Sequence, residues 1–134
     1  LKVVEAIDKD IDHVTLIGDG SETRAFCYIL DVIEGLKILI KKGSDREIYH
    51  IGNSEEEIEI KELASLIINN LDKNLFVKSG DNLHEGNTNR RCPNVNKISQ
   101  LGYKPKYNLK VGLKETIEWY VNNLEDYKNK RPIE

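Results

Sequence analysis

The 134-residue sequence carries few groups spaced to do chemistry by themselves. Gly18-x-Gly20 follows an apolar stretch, as the first two glycines of a dinucleotide-binding turn would, because glycine lets the backbone approach a pyrophosphate. Thr23 stands where the third glycine belongs, so this segment reads as a turn and not as a cofactor cradle. No tyrosine is followed four residues later by lysine, so a Tyr-x-x-x-Lys acid/base pair is absent. Neither a Gly-x-Ser-x-Gly nucleophile elbow nor a phosphate-cradling Gly-x-x-x-x-Gly-Lys loop occurs. His13, His50 and His84 are isolated and read as surface or strand-end residues. Glu55, Glu56, Glu57 and Glu59 supply carboxylates enough for a cation, but adjacent carboxylates in a polar turn ordinarily form a solvated face near a helix N-terminus. Cys27 and Cys92 lie far apart, with no Cys-x-x-Cys spacing and no histidine at ligand distance, so neither zinc nor a disulfide framework is indicated. What remains is cationic. With a formal charge of -3 the molecule as a whole repels an anion slightly, so an anionic ligand must be held by a few placed arginines.

Those residues need elements to carry them. Val14 to Ile17 is short, apolar and β-branched, and it runs into Gly18-Asp19-Gly20-Ser21, which predicts a strand ending in a turn. Before it, Val3, Val4, Ile7 and Ile11 recur at helical spacing. Thr23 to Tyr28 reads as a short extended piece. Asp31 then reads as the N-cap of a helix reaching about Lys42, with Val32, Leu36, Leu39 and Ile40 as its apolar stripe. Glu47 to Ile51 is a further strand candidate, and Ile60 to Leu71 a helix with Ile60, Leu63, Ala64, Ile67 and Leu71 on one face. Leu75 to Lys78 is another strand. Ser79 to Pro93 is a loop longer than the usual connection, and such loops are often functional. A short helix is expected over Val95 to Leu101, stopped by Gly102 and Pro105. The last helix follows Asn108 and runs to about Tyr127, burying Leu113, Ile117, Tyr120, Leu124 and Tyr127.

Strands and helices alternate without an internal repeat, which predicts a mixed α/β (α+β) fold: a small three-stranded sheet with about four helices. The length is that of one domain, and 39% hydrophobic with 32% charged residues is a globular composition. Acidic and basic residues are interleaved, which argues against nucleic acid as a partner. The aliphatic run from Ile29 to Ile40 is broken by Asp31, Glu34 and Lys37, so no membrane span is expected. Without a secretory signal, and with unpaired cysteines, a reducing cytoplasm fits best. The sequence opens at Leu1 and not at Met, which suggests that something precedes it.

Two stretches resemble a known family. Gly18-Asp19-Gly20-Ser21-Glu22-Thr23-Arg24-Ala25-Phe26-Cys27-Tyr28, followed by Asp31 and Gly35-Leu36, resembles the Gly-Asp-Gly-Ser-x-Thr-Arg-x-Phe-x-Tyr-Val-x-Asp segment of NAD-dependent sugar-nucleotide epimerases, dehydratases and UDP-glucuronate decarboxylases. Arg90-Arg91-Cys92-Pro93-Asn94, Leu101-Gly102-Tyr103-Lys104-Pro105 and Leu113 to Trp119 resemble the ending of the same family, and Tyr49-His50-Ile51-Gly52 sits where it has Tyr-Asn-Ile-Gly. Leu30 and Asn94 depart from residues that are commonly Asp there, and Glu59 from a helix start often filled by Ser, Thr or Asn; Glu59 is expected to face solvent.

The resemblance implies that residues 1–134 are the C-terminal, substrate-binding domain of an extended short-chain dehydrogenase/reductase, without its N-terminal Rossmann domain. That absent domain would hold NAD and the catalytic tyrosine and lysine, so this part binds no cofactor and no metal and carries no catalytic residue. Its partners would be the Rossmann domain and a nucleotide-diphosphate sugar. The family mechanism oxidises a sugar carbon transiently with NAD; epimerisation, water loss or decarboxylation follows and the hydride returns. Arg24 and one of Arg90 and Arg91 would contact the diphosphate, a role suited to a planar guanidinium that keeps its charge. Tyr28 would line the pocket or fill a core position, and Asp31 stays structural. Taken without the resemblance, Arg24 would be a surface arginine in a turn. Two other readings stand beside this one: a complete non-catalytic nucleotide-sugar-binding or interaction module, and a relative that kept the fold and lost the ligand.

Overall fold

In the computed structural model residues 2–71, 74–81 and 88–126 are described, and they form two small sheets with helices around them. Helix α1 (Lys2–Asp8) buries Val3, Val4 and Ala6 on one side and leads into strand β1 (His13–Thr15). β1 pairs in parallel with β4 (Phe76–Lys78), with Val14 opposite Val77. Helix α3 (Ile60–Asn70) crosses this pair. Val3, Ala6, Val14 and Ile68 form the buried core, with Ile67, Leu71, Leu75 and Val77 packed against it. The helical spacing read at the start of the chain and the strands around Val14 and Val77 therefore meet in one cluster.

A second, three-stranded sheet has the order β3-β2-β5. β2 (Thr23–Ala25) is central, antiparallel to β3 (Glu57–Glu59) and parallel to β5 (Arg90–Arg91). A mixed α/β fold with a three-stranded sheet is thus present, but that sheet is assembled from other segments than the pattern indicated. Glu47–Ile51, expected as a strand, makes no ladder among the described residues, and Ile48 is 79% exposed. β-forming side chains need a neighbour to pair with, and this extended stretch has none in the described chain. The second sheet instead uses Glu57–Glu59, where alternation of charge with Ile58 was read as a solvated turn.

Helix α2 (Ile29–Lys42) corrects two expectations. Its N-cap is Tyr28, and Asp31 lies inside the first turn, 1% exposed. There the Asp31 carboxylate accepts the backbone N–H groups of Lys106 (2.9 Å) and Tyr107 (3.1 Å), a tertiary tie that outweighs local capping. Leu36 and Ile40 are exposed, and the buried side of α2 is the small, polar one, Asp31 and Gly35. Gly35 permits this close approach: a Cβ there would lie 2.6 Å from Ile51 Cγ2 and 3.2 Å from Tyr103 Cε2.

The short helix α4 (Asn96–Ser99) buries Ile98 completely, and the turn after it reaches Gly102, whose φ of 99° only glycine adopts readily. Tyr103 is buried beside it; its hydroxyl donates to Gly52 O (3.0 Å), and burial pushes its phenol well above the ordinary range. Helix α5 (Leu109–Asn122) starts where the sequence indicates: Asn108 accepts the Val111 N–H in its side chain (2.9 Å). Ile117 and Gly112 are its buried residues, and Tyr127 of the expected stripe lies outside the described residues.

Candidate functional site

The site is built on the second sheet. Side chains alternate across a strand, and residues paired across neighbouring strands share a face. Arg24 pairs with Ile58 on one side and Arg91 on the other, so Arg24, Ile58 and Arg91 occupy one face. Thr23, Glu57 and Arg90 occupy the opposite face. Of the arginines singled out above, the fold therefore brings Arg24 and Arg91 together and sets Arg90 apart.

The three guanidinium groups are engaged differently. Arg24 donates from Nη1 to Thr23 O (2.7 Å) and to Asn89 O (3.4 Å), which curls its head over the β2–β5 seam. Arg91 is exposed and has no acceptor among the described residues. Arg90 is committed: Nε donates to Glu57 Oε1 (2.8 Å) and Nη2 to Glu57 Oε2 (2.6 Å), a forked pair. Glu57 also accepts the Thr23 hydroxyl (2.5 Å). Arg90 first, then Thr23, hold the Glu57 carboxyl below its ordinary range, and Glu57 in turn raises the Arg90 guanidinium. Glu57 and Asn89 were not among the sequence-predicted site residues. The available signal was the polar–apolar alternation of Glu57-Ile58-Glu59-Ile60, which has the period of a strand.

On the Arg24 face a cleft of about 720 Å³ opens, lined by Ile58 together with Asp19, Lys61, Ser65, Asn69 and Ser79. Neither arginine lines it, but Ile58 connects it to Arg24 through the strand pairing. Lys61 is paired with Glu59 (2.8 Å), which raises the ammonium. Tyr28 stands away from the arginines in described contacts. Its ring packs on Tyr107 (centroids 4.9 Å apart), and a Cβ on Gly112 would sit 3.2 Å from its Cβ and Cδ2. It also borders an apolar crevice of about 360 Å³ shared with Phe26, Leu63, Ile67 and Leu113.

The Gly18–Ser21 turn is tied by its own side chains and closely packed. The Asp19 carboxylate already accepts the Ser21 amide (3.0 Å) and hydroxyl (2.7 Å), and a Cβ at Gly20 would be 2.4 Å from Leu16 Cδ1. No group of three metal-ligating side chains occurs among the described residues, and His13 is partnered by Asp12 at 2.6 Å. No described helix is long and apolar enough to cross a membrane.

Residues 2–52 match the NAD dependent epimerase/dehydratase family. The chain belongs to that family, within the extended short-chain dehydrogenase/reductase class. It is 38% identical over 117 residues to human dTDP-D-glucose 4,6-dehydratase, a match covering 84% of this chain and 33% of the relative. Among solved structures it resembles dTDP-glucose 4,6-dehydratase from Bacillus anthracis in complex with NAD, at a TM-score of 0.78 and 26% identity, over 96% of this chain and 40% of that one. It resembles equally UDP-glucuronic acid 4-epimerase from Bacillus cereus in complex with UDP-glucuronic acid and NAD, at a TM-score of 0.79 and 25% identity, over 92% and 39%. The chain thus spans about a third of the length of the curated relatives it matches.

Proposed function

We propose that residues 1–134 are the substrate-binding domain of an NAD-dependent sugar-nucleotide epimerase, dehydratase or decarboxylase, and that Arg24 and Arg91 hold the diphosphate of the nucleotide sugar. The observation that carries this reading is the strand register that sets Arg24 beside Arg91 while Glu57 occupies Arg90. Two guanidinium groups on one sheet face offer forked donors to neighbouring phosphate oxygens, and their charge persists across the physiological range. The domain's share of the reaction is positioning: binding energy at the diphosphate holds the sugar for hydride transfer at a cofactor bound elsewhere.

Support for a partner domain comes from α2. Ile29, Ile33, Leu36 and Ile40 recur along it at helical spacing and are exposed, Ile40 at 85%. Exposed apolar residues in such a row mark a surface meant to be covered. An N-terminal Rossmann domain of the size the relatives possess beyond the matched region is the occupant that fits, and it would bring NAD and the catalytic tyrosine and lysine. The free thiols of Cys27 and Cys92 agree with a cytoplasmic setting.

The deciding experiment is steady-state kinetics on the full-length enzyme. Arg24→Ala is expected to raise the Michaelis constant for the nucleotide sugar while NAD binding persists. Unaltered kinetics would remove Arg24 from the site.

A further inference from the structure

β5 consists of only two residues, Arg90 and Arg91, and follows a long connection. So short a strand gains little from ladder bonds; its backbone attachment to β2 includes the Thr23 N–H donated to Asn89 O (2.8 Å). Beyond these backbone bonds the attachment is made by side chains. Glu57 lies on β3, at the other edge of the sheet, and reaches across β2 to Arg90. On the way it accepts the hydroxyl of Thr23, so one carboxylate ties all three strands together on the face opposite Arg24 and Arg91. An isolated pair on this surface would do little, because Arg90 is 66% exposed and solvent weakens such contacts. A forked pair that also takes a third donor from the central strand has one geometry and thereby specifies the register of a strand that otherwise could slip.

We infer that Glu57 is a positioning residue for the anion clamp: by fastening Arg90 to β2 and β3 it keeps Arg91 opposite Arg24, and it withdraws the Arg90 charge from the ligand. The inference rests on the Arg24–Arg91 reading of the site. A one-residue slip of β5 would exchange the faces of the two arginines, carrying Arg91 to the Glu57 side. The bridge therefore decides which of two adjacent guanidinium groups meets the phosphate.

The test uses the present chain, with hydrogen exchange of the Thr23 amide as the reporter of β5 docking and calorimetric titration with UDP as the reporter of the clamp. In Glu57→Ala and in Arg90→Ala the Thr23 amide should exchange several-fold faster while the Val14 amide in β1 keeps its rate, and UDP affinity should fall roughly fivefold. The double variant should lose no more than either single one. Glu57→Arg combined with Arg90→Glu should recover both readouts, which a general loss of stability would not do. An unchanged Thr23 exchange rate in Glu57→Ala would overturn the bracing role alone. Failure of the unmodified chain to bind UDP would overturn the clamp, and the function assigned to the brace with it.

Discussion

Arg24 and Arg91 are register partners on the parallel strands β2 and β5, and they share the sheet face from which Ile58 enters the neighbouring cleft. Adjacent like charges repel, and neither side chain has a carboxylate partner among the described residues. An anion seated between them would relieve that repulsion. Arg24→Ala and Arg91→Ala should each weaken UDP binding roughly 10- to 100-fold, the range for a lost charge-assisted hydrogen bond. Arg90→Ala should cost less, because its guanidinium is turned to Glu57. Calorimetry on the three variants checks the order; equal losses at Arg90 and Arg91 would contradict it.

Asp31 illustrates a different kind of constraint. Its buried carboxylate is the acceptor for two consecutive amides, those of Lys106 and Tyr107, and so pins the segment before α5 to the first turn of α2. Asp31→Ala orphans both donors and should destabilise the chain by roughly 2 to 4 kcal/mol. Asp31→Asn keeps one acceptor oxygen and should cost less. Urea denaturation of both variants measures this, and a loss under 1 kcal/mol in the alanine variant would refute the tie.

These two cases also show how far the pattern of residue types reaches. Periodicity located α1, α3 and α5, and the start of α5 after Asn108 was legible because helix-start signals are local. The motif around Arg24 was legible as well. What resisted reading depends on partners distant in the chain. Asp31 has the residue type of a cap, and only the arrival of residues 106 and 107 makes it a buried anchor. Glu57 sits in a run of carboxylates, and nothing adjacent announces that Arg90, thirty-three residues later, will claim it. Glu47–Ile51 has strand composition and no ladder among the described residues, because composition cannot supply a neighbour. Which of Arg90 and Arg91 shares a sheet face with Arg24 hung on strand parity, which needs a register.

The Glu57 bridge has a defined pH window. Arg90 and Thr23 hold the folded-state carboxyl below the ordinary glutamate value of 4.5. A carboxyl with a lowered folded value contributes stability that is fully present above its unfolded value and is lost as pH falls through the folded one. The stability difference between the unmodified chain and Glu57→Gln should therefore be constant above pH 4.5 and shrink below it. Thermal melts of the two proteins between pH 7 and pH 3 give that difference while cancelling the other carboxylates. A difference that stays level through the acid limb would mean that Arg90 does not govern Glu57.

The exposed row on α2 yields the last prediction. Ile33, Leu36 and Ile40 face outward while Asp31 and Gly35 face the interior, so the apolar residues contribute little to the stability of this chain by itself. Replacing Ile33 and Ile40 with Lys should leave the denaturation midpoint nearly unchanged, within about 0.5 kcal/mol per site, as is usual for exposed positions. If the proposed Rossmann domain covers this row in the full-length protein, the same pair of substitutions should be severely destabilising there, because two charges would be buried against that domain. Ile40, at 85% exposure, is the sharper probe of the two. Parallel melts of the short and full-length proteins decide the matter: similar small effects in both would show that the row remains open to solvent and that the partner domain docks elsewhere.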